Sequence, residues 1–241
     1  QEHLLFENQF HESLLSEHYL VLTILHAIAQ TLQELPATVI GQKGQKELKT
    51  EMELILGTSL TDRVSFLRAL ELFAQKESSD TQRAINCGNH TTVLQRVLSF
   101  SSSVLPLLVA LRRTKAFAQS HFMLMIDDAH DLNVFQRRAV NSWISYRDHS
   151  VYSLKVATAK VSDPDYHTLS GGSILEGHDY IVIDLAQPFQ NVDSPFAKLA
   201  RSILSRRLAR VGIKSNPDQF FPINEDLKKD LRAAGVEAEK E

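Results

Sequence analysis

Residues 122–130 read FMLMIDDAH: five apolar side chains in succession, then two aspartates, then a short polar turn. A run this short and this apolar predicts a β-strand of the kind buried inside a parallel sheet. In open sheets of that type, ligands collect beyond the carboxyl ends of the strands. Asp127 and Asp128 would then stand where a ligand is met. A purely local alternative is that Asp128 or Asp131 caps the helix that follows.

Downstream, 132–146 has helical spacing, with Leu132, Phe135, Ala139, Trp143 and Tyr146 toward the core. Residues 152–157 predict a second strand and 162–177 a loop containing Gly171 and Gly172. A third strand is expected over 180–185. A helix follows over 194–211, with Ser194 as cap and Pro195 in its first position. From Asn216 the tail is polar apart from Phe220 and Phe221, and a short charged helix is expected over 225–234. Strand, helix, strand, loop, strand, helix is an α/β pattern.

Upstream, 8–35 predicts a helix, with Leu14, Leu15, His18, Leu22, Leu25, Ile28 and Leu32 at helical spacing and Pro36 ending it. Residues 41–49 are expected to be a mobile loop. Their GQKGQK lacks the GxxxxGK[ST] order of a phosphate loop. A second helix is expected over 61–75, capped by Thr61 or Asp62, with apolar Val64, Leu67, Leu70 and Leu72. A polar loop over 76–90 and a helix over 92–119, kinked or broken at Pro106, complete a helical first half.

The 241 residues are 43% hydrophobic and 23% charged, which is ordinary globular composition. The net charge of −3 gives no bulk attraction to nucleic acid, so a DNA contact needs a local basic patch such as KVATAK or SRRLAR. The lone Cys87, expected in a loop and semi-buried, makes neither an internal disulfide nor a thiolate zinc site. This favours a reducing, cytoplasmic setting. No apolar run approaches the roughly 20 residues that span a bilayer, so no membrane is expected. Ten histidines show no HExxH spacing, and His130 is expected to cap or pack near the acidic pair.

An apolar strand ending in an acidic pair is the arrangement called Walker B. Asp127 would be the magnesium ligand, since magnesium takes hard oxygen donors and keeps most of its waters. Asp128 would orient or deprotonate the attacking water.

The run IDDAHDLNVFQRRAVNSWISYRDHSVYSLKVATAK resembles bacterial AAA ATPases of the origin-recognition-complex, ORC/CDC-type, family. The acidic pair, the helix motif LN…NSWISYR and the strand SLKVAT carry the resemblance. SGGSILEGHDYIVIDL and NPDQFFP add to it. It covers roughly residues 122–222, and less clearly the helices before them.

The resemblance implies an α/β fold with an AAA-type P-loop NTPase core, a parallel sheet between helices. The chain divides accordingly into a mostly helical segment of the ATPase region over 1–120, the Walker B and sensor strands over 121–190, and a C-terminal helix and tail over 191–241 that begins a lid or partner-binding region. The chain opens on Gln1, and the family's phosphate loop and first strands are expected before it. Thr158 falls where the family places a polar sensor beside the γ-phosphate, and Arg201, Arg206 and Arg207 are candidates for a second sensor.

ATP and Mg²⁺ are the implied cofactors. A homo-oligomer or hetero-complex is the implied assembly, with DNA a candidate partner and mobile-element or phage-defence machinery the suggested setting. Two departures favour an alternative, a scaffold that does not hydrolyse nucleotide. The second acidic residue is Asp128 where the family usually has Glu, and 161–180 holds no arginine to serve as a finger. Arg137 and Arg147 are the substitutes considered for that role.

Overall fold

The computed structural model describes residues 9–36, 38–89, 91–146, 150–159, 164–185 and 196–213. The expected first helix forms as α1 (Gln9–Gln33), with Leu15, His18, Val21, Leu22, Leu25, Ala29 and Leu32 as its buried stripe. It packs on α3 (Phe66–Asn86), whose Phe66, Leu67, Leu70 and Ala74 close the interface. Glu71 of α3 lies buried at this seam. Hydrogen bonds from Gln33 and Arg68 hold its carboxyl well below the usual range, at about 2.

Five expectations about this half are corrected. Residues 41–49 are not a loop: α2 (Gly41–Leu56) begins there. Its polar residues form a solvent face, including a Lys49–Glu53 pair at i,i+4, while Leu48 and Met52 are buried one turn apart. Gly57 ends the helix in the left-handed conformation (φ 62°), which glycine adopts without a Cβ clash. The next helix starts at Phe66, not near 61, because Ser65 accepts the Arg68 N–H as its cap while Asp62 pairs with Lys49.

That helix also runs through the supposed loop to Asn86, since Glu77 and Thr81 continue its buried stripe. Cys87, at its C-terminal cap, is exposed rather than semi-buried. Finally, the helical stretch expected over 92–119 with a kink or break at Pro106 is interrupted earlier, after Leu94, and ends at Arg113. It comprises α4 (Thr91–Leu94), a π-helical turn (Phe100–Val104) and α5 (Leu105–Arg113). Pro106 sits in the first turn of α5, where its missing N–H costs nothing.

β1 (Phe122–Ile126) and β2 (Tyr152–Val156) form a parallel two-stranded sheet, with Phe122 opposite Tyr152 and Ile126 opposite Val156. Phe122, Leu124 and Ile126 pack against the core, and the intervening Met123 and Met125 are exposed at 48% and 77%. Among the described residues one face of the sheet is therefore lined by helices, rather than both. α6 (Val134–Ile144) makes the crossover between the strands and buries Ala139, Val140, Asn141 and Trp143. Tyr146, expected in the core, is exposed beyond its end.

The third expected strand does not form. Residues 181–185 are irregular, with Ile181 at 83% and Ile183 at 78% exposure. An apolar β-prone run becomes a strand only where a neighbour completes its hydrogen bonds, and this run has none among the described residues.

The chain separates into two compact units, 1–181 and 182–241. The second carries α7 (Phe196–Arg210), the expected C-terminal helix. Ser194, Pro195, Phe220, Phe221 and the charged helix expected over 225–234 lie outside the described residues.

Candidate functional site

The register ends with Ile126 opposite Val156, so Asp127 and Asp128 follow one strand and Ala157 and Thr158 the other, at the carboxyl ends of adjacent parallel strands. The ladder runs on past β1, since the Ala157 N–H donates to the Ile126 carbonyl at 2.8 Å. It then breaks in a specific way. In an undisturbed parallel ladder the Asp128 amide would donate to the Ala157 carbonyl. Instead Ala129 donates to it at 2.9 Å, and the Asp128 N–H turns onto Asp127 Oδ1 at 2.9 Å. Asp128 is thus looped out of the strand end, with φ 49° and ψ 40°, the one non-glycine residue at positive φ among those described. Aspartate tolerates this region better than most residues, at a cost of about 1 kcal/mol or more.

Both carboxylates are exposed, and neither is ion-paired among the described residues. They are not spent on capping. Asp128 makes no side-chain cap bond, and α6 is capped by Asn133, whose side chain accepts the Gln136 N–H at 2.8 Å while Gln136 Oε1 accepts the Asn133 N–H at 3.0 Å. The local alternative for the acidic pair is thereby removed. The Asn133–Gln136 spacing is the sequence signal that reveals this capping box.

Thr158 is exposed, and its hydroxyl donates to the Ala159 carbonyl at 3.1 Å. His130 Nδ1 accepts the Ala159 N–H at 3.3 Å, so the turn after β1 is tied to the turn after β2. His130 packs near the acidic pair as expected. Asp127, Asp128 and Thr158 are therefore gathered at one sheet end. Arg201, Arg206 and Arg207 are exposed on α7 in the second unit. Asp127 offers a hard, solvent-facing carboxylate of the type magnesium takes. Among the described residues no cluster of three or more His, Cys, Asp or Glu is placed to hold a metal ion.

The two arginines beginning α6 differ. Arg138 Nε donates to Asp165 Oδ2 at 2.8 Å, and Asn141 donates to the carbonyls of Asp165 and His167 at 2.9 Å. Burial pushes the Asp165 carboxyl up, but the His167 backbone and ring and the Arg138 guanidinium outweigh it and hold the group at about 2. Arg138 is thus committed to the loop after β2 and is not free to face a neighbour. Arg137 Nε is buried without a hydrogen-bond partner. Arg147 lies outside the described residues.

A helical scaffold bearing a parallel strand pair with an acidic carboxyl end is compatible with an α/β NTPase-like domain. A family model, ORC-CDC6-like, matches residues 5–241, and the chain belongs to the ORC-CDC6-like family. Membership supports AAA-type ATPase-related function and nucleotide binding in general. No curated protein and no solved structure matches the chain. No helix among the described residues is long and apolar enough to cross a membrane.

Proposed function

We propose that this chain supplies the metal- and water-handling side of an ATP-hydrolysing AAA-type site that acts as a nucleotide-driven switch. The observation that carries the proposal is the looped-out Asp128 just beyond the carboxyl end of β1, with no side-chain cap bond and no ion pair among the described residues. Asp127 is the magnesium ligand. Bound magnesium would neutralise charge on the terminal phosphates. Asp128 orients the attacking water and accepts its proton, and Thr158 hydrogen-bonds a phosphate oxygen or that water; Arg201, Arg206 and Arg207 stay candidates for a second sensor by family likeness alone. No GxxxxGK[ST] order for a phosphate-cradling loop occurs in these 241 residues. Oligomerisation through the ATP-site face, with Arg137 or Arg147 lending charge, and work on DNA or in a defence assembly, extend the proposal by family likeness.

The test is ATP turnover in the intact protein. Asp128→Asn is expected to cut turnover about 10²–10⁴-fold, the usual weight of a general base, with nucleotide binding retained. Asp127→Asn is expected to weaken magnesium-dependent binding as well. Wild-type turnover in both variants would move the active site elsewhere. One observation favours a second reading, a scaffold that binds nucleotide without hydrolysing it. Asp128 is one methylene shorter than glutamate and stands farther from any water. A wild-type protein that binds ATP and does not turn it over would decide for the scaffold.

A further inference from the structure

We infer that Glu17, far from the acidic pair in sequence, is a positioning residue for it; the inference rests on the ATP-site reading above. Glu17 Oε1 on α1 accepts two hydrogen bonds, from the Phe100 backbone N–H at 3.1 Å and from the Trp143 indole N–H at 3.1 Å. The adjacent His18 accepts the Leu98 N–H on Nδ1 at 3.0 Å. Two neighbouring side chains of α1 thus take up backbone donors leading into the π-helical turn, a helix form that recurs at functional sites.

Phe100 then stacks on Trp143, with centroids 4.8 Å apart, and tilts against Tyr152 at 5.0 Å. The Tyr152 hydroxyl donates to the Trp143 carbonyl at 3.1 Å. Trp143 is therefore held at both ends, its indole by α1 and its carbonyl by β2.

Trp143 lies near the C-terminal end of α6, and the loop from the acidic pair enters that helix at its N-terminal end. The two ends are ten residues apart, about 15 Å of helix. A helix transmits axial displacement along its whole length, so what fixes Trp143 fixes where Asn133, and the turn that loops out Asp128, sit against the strands. Tyr152 begins β2 directly opposite the first residue of β1, so the same hub references α6 to both strands. Glu17 is where the helical half of the chain sets that position.

Removing the carboxylate leaves the buried indole N–H and the Phe100 amide without their acceptor and lets α6 shift. Misplacement of a catalytic group by about 1 Å costs turnover on the order of 10²-fold. In the intact protein, Glu17→Ala is expected to lower kcat about 10–100-fold with KM within about twofold, because water orientation is lost while phosphate contacts remain. Glu17→Gln keeps an oxygen that accepts both bonds and is expected to restore most of the turnover. Leu70→Ala, a core truncation in α3 away from the hub, is the control: it lowers the melting temperature and leaves kcat unchanged.

If Glu17→Ala does not fold, Glu17→Asp reads the same split, since its shorter arm reaches one donor at most. Turnover in Glu17→Ala or Glu17→Asp equal to that of Leu70→Ala would overturn the inference while leaving the ATP site standing. A wild-type protein without turnover overturns the ATP-site reading itself.

Discussion

His18 makes the acid stability of this fold predictable. It is fully buried on α1, with Nδ1 accepting the Leu98 N–H at 3.0 Å and Nε2 lying 3.4 Å from Thr81 Oγ1. Burial, and then the nearby Arg96 cation, lower its pKa from 6.5 to about 4. The unfolded chain takes up this proton near 6.5 and the folded chain only near 4. Acid therefore favours unfolding across that interval, and the stability is fully present above pH 6.5. At about 1.4 kcal/mol per pH unit, the loss on reaching pH 4 is about 3 kcal/mol, a large part of a typical domain's stability. The carboxyls held low, Glu71 and Asp165 at about 2, lose their contributions only as pH falls below the ordinary carboxylate range. The slope between about pH 6.5 and 4.5 thus belongs chiefly to His18. Urea unfolding at several pH values reads it directly. His18→Asn keeps an acceptor oxygen near the Nδ1 position and cannot titrate, so it should flatten the slope, whatever it costs at neutral pH. A wild-type protein equally stable at about pH 6.5 and 4.5, or an Asn variant with the wild-type slope, would refute the argument.

Replacing Asp128 by glycine should raise stability by about 1 kcal/mol, because φ 49° then carries no Cβ clash, while abolishing any turnover; a melt and an ATPase assay together test it. Asn133→Ala removes the cap of α6 and should cost about 1 kcal/mol in urea unfolding. Asp165→Asn should loosen the loop after β2 and remove an acid-sensitive term: the carboxyl at about 2 stabilises the fold above the usual aspartate range and loses that effect as pH falls through 2. Faster amide exchange at His167 and Leu169, with α1 unaffected, is the expected signature.

The strands β1 and β2 and the helices α1 and α6 were legible because each carries its own periodicity. α2 was hidden by composition: lysine, glutamine and glycine read as a loop until Leu48 and Met52 are seen to share a face. The run 180–185 misled in the other direction, since β-propensity says nothing about whether a partner strand is at hand. At the candidate site the acidic pair and Thr158 could be read from order along the chain. The left-handed turn at Asp128 could not, being set by which amide the Ala157 carbonyl accepts. Glu17 was invisible for the same reason: its partners lie 83 and 126 residues away.

The face of the small sheet that carries Met123 and Met125, open among the described residues, has a practical side. Two strands alone are marginal in water, and here the outward face sets Met123 beside Ser153 and Met125 beside Lys155, so one lysine guards an otherwise uncharged patch. Thioethers are soft enough to mould onto many surfaces and are readily oxidised to the polar sulfoxide. Oxidation of Met123 and Met125 is therefore expected to make this patch more polar. Fresh and peroxide-treated samples should differ in light scattering before they differ in helix content. Anyone handling the protein at high concentration would do well to keep track of the redox history of Met123 and Met125.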